Sequence, residues 1–179
     1  MSTETSNDER LAADLSDEEL ERFRGQIRSE VLVVLFDYWR KLDRVSGLPA
    51  PAAVDPVQMP RSVLPYCMLI DVEWQAAGYP GPFRLRFRLA GTAVVANRTG
   101  LTPRDPTGWY LDEAEFREGQ TRPLHIYGST AALGLPGYQR LTYASDHPRS
   151  TGFYHRLAMP LSADGKRVSR LLAGFSRDT

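Results

Sequence analysis

The run Phe83–Val95, FRLRFRLAGTAVV, decides the fold. Phe83, Leu85, Phe87 and Leu89 alternate with Arg84, Arg86 and Arg88, and the alternation ends at Gly91-Thr92. Successive side chains on a strand point to opposite faces, so this spacing predicts a half-buried strand, apolar beneath and charged above. On this reading all four apolar residues, Leu89 included, face a core. Gly91 permits a sharp turn, and Thr92 suits the cap of a helix over Ala93 to Asn97.

Working outward, residues 66–74 (YCMLIDVEW) are separated from this strand by GYPGP, a turn signal, so the two predict an antiparallel hairpin. With Met68, Ile70 and Val72 pointing in, Asp71 and Glu73 fall on the arginine side. Opposite charges paired across strands contribute about 0.2–1 kcal/mol each and fix the register. Three more strand-like runs follow at 138–145, 153–161 and 167–175, the last two joined by Ser162-Ala163-Asp164-Gly165, a hairpin signal. Parity places Phe153, His155, Leu157, Met159 and Leu161 inside with Leu89, and leaves Tyr154, Arg156 and Ala158 outside. Arg and Tyr together suit a docking surface. Residues 91–136 read as short helical pieces broken by Gly and Pro. The predicted class is α+β: a five-stranded antiparallel sheet with short helices on one face, preceded by a long N-terminal helical arm.

That arm is read over residues 11–45, after a polar, charged tail over 1–10 that predicts disorder. Ser16-Asp17-Glu18-Glu19 has the form of a capping box. Apolar residues then recur at 20, 23, 27, 31, 34, 38 and 42, a heptad-like stripe. Unbroken to Arg44, the helix would be about 43 Å long; Gly25 is the natural place for a break. Leu32, Phe36 and Trp39 form a second apolar face. Two apolar faces need two partners, which predicts a homodimer through Leu20, Phe23, Ile27, Val31, Val34 and Tyr38. The alternative is that both faces bury in one core. Residues 46–65, with five prolines, read as a connector opening a domain over 46–179.

Composition narrows the function. A chain of 179 residues fits one domain and buries most of its surface without staples. The single cysteine, Cys67, allows no internal bridge and no zinc cluster, and its place in CMLI predicts a buried thiol. The acidic start lacks the pattern of a secretory signal, and the longest apolar run, VLVVLF at 31–36, is too short to span a bilayer. The expected location is cytoplasmic, away from membranes. Net charge is zero, with residues 1–30 at −5 and the remainder at +5. So mild a surplus without a basic tract argues against nucleic acid.

The chemistry-bearing residues are sparse. The histidines, His125, His147 and His155, have no carboxylate at metal-binding spacing, and no GxGxxG or P-loop pattern is present. Ser145-Asp146-His147 are contiguous, which points their side chains apart. The expectation is a protein that is not an enzyme, binds no metal and requires no cofactor. The rival reading is a small cavity enzyme, an isomerase or dehydratase, using His155 with Asp71 or Asp112; a third is a ligand-free scaffold. Parity offers Phe87, Trp109, Tyr110, Tyr127, Tyr143, His155 and Met159 as candidate pocket contacts, all of them residues that also build ordinary cores. Arg84, Arg86 and Arg88 are the candidate partner surface.

Several pieces together carry a resemblance. They are Tyr38-Trp39-Arg40, Leu48-Pro49, Val54-Asp55-Pro56, Leu64-Pro65 and Leu69-Ile70-Asp71-Val72, then Phe87-Arg88-Leu89-Ala90-Gly91-Thr92. Thr107-Gly108, Arg122-Pro123, Leu157-Ala158-Met159-Pro160-Leu161 and Asp164-Gly165 follow. In this order the chain resembles a bacterial family of stand-alone PAS-type domains over about residues 31–175, RLAGT and MPLSADG being the most specific parts. The resemblance implies a sensory or docking module, with output through protein partners because no output domain is attached. It also implies a possible small-molecule ligand between the sheet's inner face and the helices, and dimerisation through an N-terminal helix. Some haem-binding PAS domains hold iron through a histidine on the last helix, where His125 lies, but position is the whole of that support. Cys67 lies in a strand, not in the helical region that a flavin-adduct cysteine requires.

Overall fold

The computed structural model describes residues 15–97, 105–113, 124–144 and 151–178. Two short helices, α1 (Asp17–Arg24) and α2 (Glu30–Arg40), lead into a small hairpin, β1 (Arg44–Val45) and β2 (Leu48–Pro49). Strands β3 (Cys67–Trp74) and β4 (Phe83–Ala90) follow, then α3 (Thr92–Asn97) and α4 (Leu124–Leu133). Strands β5 (Gly137–Ala144), β6 (Thr151–Leu161) and β7 (Arg170–Arg177) complete the chain. The large sheet has five antiparallel strands in the order β4-β3-β7-β6-β5.

The sheet buries both faces. Met68, Ile70, Val72, Leu85, Phe87, Ala158, Leu171 and Ala173 share one cluster with Val94 of α3 and with Ile126, Tyr127 and Ala131 of α4. The intervening residues Cys67, Leu157, Met159, Leu161 and Leu172 share a second cluster with Leu20, Ile27, Leu32, Leu35, Phe36 and Trp39. Helices therefore cover both sides, not the one side expected. Trp39 also donates from Nε1 to the Pro160 carbonyl at 3.0 Å.

The expected long arm is two helices folded back on each other. The predicted capping box at Ser16 and Glu19 is present. The chain turns at Gly25, and α1 returns along α2: Arg24 makes a two-pronged 2.7 Å contact with Asp37, Arg40 pairs with Glu21, and Phe23 packs on Phe36 at 5.3 Å. The face that α2 buries is Leu32, Leu35, Phe36 and Trp39, while Val34 of the heptad stripe stays 37% exposed. At about 1.5–3 kcal/mol per buried large apolar side chain, those four supply about 6–12 kcal/mol of gross stabilisation. That magnitude makes α2 a layer of the fold.

Three local readings are corrected by backbone geometry. Leu69 pairs with Leu89 and Ile70 with Phe87, so Arg88 is an extra residue, a β-bulge. The bulge turns Leu89 to the arginine side, where it is 39% exposed. Parity carried from Leu89 to β6 therefore fails: Tyr154, Arg156 and Ala158 lie on the Phe87 side and are buried. Residues 108–111, expected to be helical, run along the outer edge of β4. The Phe87 N–H donates to the Trp109 carbonyl at 2.9 Å and the Leu111 N–H to the Leu85 carbonyl at 2.9 Å, which covers an otherwise open strand edge. The expected β6–β7 hairpin is present, but its connection runs past residue 167, where Asp164 Oδ1 accepts from the backbone N–H of both Lys166 and Arg167. The last strand consequently begins at Arg170.

Candidate functional site

On the charged face of β3 and β4 the helices leave Arg86 and Arg88 reachable by solvent. In register Asp71 lies opposite Arg86 and Glu73 opposite Arg84. The ion pairs run diagonally instead. Arg86 Nε meets Glu73 at 2.8 Å, and Arg88 reaches Asp71 at 3.5 Å. Asp71 also accepts from Arg170 Nε at 2.7 Å.

Arg84 is displaced from its cross-strand partner by residues 110–113. Its Nε donates to both oxygens of Asp112, at 3.2 and 3.1 Å, and Nη2 donates to Glu113 at 2.6 Å. The guanidinium carbon lies 3.6 Å from the ring centre of Tyr110 and 5.4 Å from that of Tyr79. The Tyr110 hydroxyl donates to Glu73 at 2.9 Å. That bond and partial burial hold its phenol above the ordinary range. The result is a guanidinium fixed on an aromatic platform, with most of its rotamer freedom already lost.

Beside this cluster is a cleft of about 220 Å³ lined by Tyr79, Phe83, Arg84, Leu85, Asp112 and Gly128, with Gly81 and Pro82 at its end. Its apolar floor comes from β4 and its far wall from α4. A Cβ placed on Gly128 would meet nothing within 4 Å, so this wall is open.

The pocket residues read from sequence are dispersed. Phe87 and Tyr127 lie on the α3–α4 side of the sheet, both buried. Burial pushes the Tyr127 phenol up to about 12. Tyr110 is the platform just described, and Trp109 contributes its carbonyl to the β4 edge. Met159 and His155 are fully buried on the opposite side, next to the α1–α2 layer. The Tyr143 side chain, Ser145-Asp146-His147 and Arg122-Pro123 lie outside the described residues. Of the dimer candidates, Leu20 and Ile27 are buried inside the chain's own core, while Phe23, Val31 and Tyr38 are half-buried and Val34 is exposed. The cleft-lining Tyr79, Phe83 and Gly128 were not among the candidates. The period-two pattern marked Phe83 as inward, but nothing in the sequence brings α4 beside it.

His155 is held from both sides. Tyr138 Oη lies 2.6 Å from Nδ1, and Asp178 Oδ1 lies 2.7 Å from Nε2. Both ring nitrogens are committed, so neither is free for a substrate. Neither Asp71 nor Asp112 is its partner: the first holds Arg170 and the second Arg84. His125 is exposed at the start of α4. The Cys67 thiol is buried, donates to the Leu64 carbonyl at 3.3 Å and is raised by desolvation. Among the described residues there is no group of three or more His, Cys, Asp or Glu side chains placed to hold a metal ion. Among the same residues no helix is long and apolar enough to cross a membrane. No family model matches the chain, and no curated protein and no solved structure is significantly similar to it.

Proposed function

We propose that this chain is a PAS-type signalling module that works through protein–protein contact at the arginine–tyrosine face of β3 and β4. The observation that carries the reading is Arg84, fixed over Tyr110 by two carboxylates beside an open apolar cleft. Immobilised Arg and Tyr flanking a pocket form a strong anchor, because little side-chain entropy remains to be lost on binding. Exposed Leu89 adds an apolar contact on the same face. The order of elements also supports the reading: helices α1 and α2, strands β3 and β4, helices α3 and α4, then strands β5 to β7 follow the order the PAS resemblance implies. The cleft accepts either a partner's side chain or a small ligand, and the setting is cytoplasmic.

The test is affinity enrichment with cross-linking, comparing the native chain with Arg84→Ala and with Gly128→Phe, which fills the cleft from its open wall. Proteins that cross-link to Arg84–Leu89 or residues 105–113 and are lost with both variants support the reading. An identical set captured by all three chains overturns it. The same module is proposed to dimerise through the solvent side of α2, around Val31, Val34 and Tyr38. Sedimentation at micromolar concentration should show a dimer that Val34→Glu dissociates; a monomeric native chain removes this part of the proposal.

A further inference from the structure

The segment between α1 and α2 is fastened to β5 and β6 of the sheet by a directional chain of hydrogen bonds. The Arg28 backbone N–H donates to Tyr138 Oη at 3.0 Å, and Tyr138 Oη lies 2.6 Å from His155 Nδ1. His155 Nε2 lies 2.7 Å from Asp178 Oδ1. A phenol oxygen that accepts from Arg28 is left with its own proton to give, and Nδ1 of a neutral imidazole is the acceptor within reach. The other nitrogen then carries hydrogen and donates to the carboxylate. Every donor and acceptor in the chain is satisfied only in this neutral tautomer. The neighbouring Ser29 and Ser176 hydroxyls bond each other at 2.7 Å and complete the linker's attachment.

We propose that Tyr138, His155 and Asp178 form a proton-operated latch, which fastens the α1–α2 linker to the sheet and releases it when the imidazole is protonated. A proton added at Nδ1 faces the Tyr138 hydroxyl proton across 2.6 Å, so the phenol must turn its hydrogen away from its acceptor. The ring also lies fully buried beneath the linker, so an added charge there would have no water around it while the linker is closed. Opening the linker relieves both penalties. Asp178 opposes them, since it attracts an imidazolium. However, this carboxylate is 46% exposed and is shared with Arg140 Nη2 at 3.7 Å, so water and a second cation weaken its pull. Arg140 lies directly opposite His155 on β5 and disfavours a second positive charge. Of the other neighbours, Ser176 across β7 and the Ser29 hydroxyl bonded to it are uncharged, while the Arg28 guanidinium acts on the Tyr138 phenol and adds positive charge nearby. The balance therefore favours a closed latch while the ring is neutral and an open one once it is protonated.

The test is amide hydrogen exchange at Arg28, corrected for the intrinsic effect of pH, together with ¹⁵N shifts of the His155 ring. From about pH 7.5 to about pH 5.5 the native chain should lose about tenfold in Arg28 protection as the ring nitrogens report protonation. His155→Gln, whose carboxamide can accept from Tyr138 and donate to Asp178 without titrating, should keep Arg28 protected throughout. Tyr138→Phe should leave it unprotected at every pH. The proposal is overturned by a ring that remains neutral across this range, by a neutral tautomer with hydrogen on Nδ1, or by Arg28 protection that ignores ring protonation. The native chain alone supplies these readouts, so they decide the matter even if a variant fails to fold.

Discussion

At the residue scale, close approach explains more than conformation does. Gly91 marks the passage from β4 to α3, and the sequence reading assigned it a turning role. A Cβ there would lie 2.3 Å from the Pro65 carbonyl oxygen and 2.5 Å from that of Leu64. Backbone atoms cannot rotate aside, so Gly91→Ala should cost about 3 kcal/mol, at the upper end of overpacking penalties, read as a lower urea midpoint with unchanged slope. Tyr127 gives a titratable counterpart. Its phenol is pushed up to about 12 from an ordinary 10, so the folded state resists ionisation that the unfolded state accepts. The stability it contributes is complete below pH 10 and is lost as pH rises toward 12. Two pH units correspond to about 2–3 kcal/mol. Tyr127→Phe should flatten that alkaline decline in denaturation curves taken at successive pH values.

The element scale shows what pattern alone conveys. The alternation FRLRFRLA located β4 at the residues it occupies, 83–90, because one of its faces is apolar along most of its length. The same alternation misplaced Leu89, since a bulge changes parity without altering composition. Strand β6 was harder to orient: both of its faces are buried, so apolar residues fill successive positions from Leu157 to Leu161. In α2 two apolar stripes competed, and the longer heptad-like one proved to be the more exposed. Helix pairing was equally hidden, because the Arg24–Asp37 contact joins residues separated by a chain reversal at Gly25. That contact makes a prediction of its own. The hydrogen bonds from Arg24, the largest influence on it, hold the Asp37 carboxyl below its ordinary 3.8. Its stabilisation is thus present at neutral pH and is lost as pH falls below about 4 through the depressed titration. Both partners are about a third exposed, so solvent screening limits the contribution to about 0.5–1 kcal/mol. Asp37→Asn should lower stability by that amount at pH 7 and leave it unchanged at pH 2, as followed by thermal melts.

At the scale of the whole molecule the sheet is the middle of three layers. Removing residues 1–44 would uncover Leu157, Met159, Leu161 and Leu172 along with the Tyr138–His155–Asp178 chain. The shortened protein is expected to aggregate or to lose its fixed near-ultraviolet signal. A soluble, cooperatively folding 45–179 fragment would show instead that the N-terminal helices are an accessory. The layer count was not legible beforehand because parity, once inverted by the bulge, assigned one side of β6 to solvent. The cleft beside Arg84 was equally out of reach, since it joins a β-hairpin, residue 112 and α4 across long stretches of chain.

The small residues Ala173 and Gly174 on β7 have a mechanical consequence. A Cβ on Gly174 would come within 2.5 Å of Leu32 and 2.7 Å of Leu35, so α2 rests almost on the strand's backbone. Helix α4 contacts the same strand from beneath, where Ala173 occupies the other side. The two helical layers are thus separated here by little more than the thickness of one polypeptide. A push delivered to one needs to traverse only that membrane-thin partition to be felt by the other, like a tap on one skin of a drum.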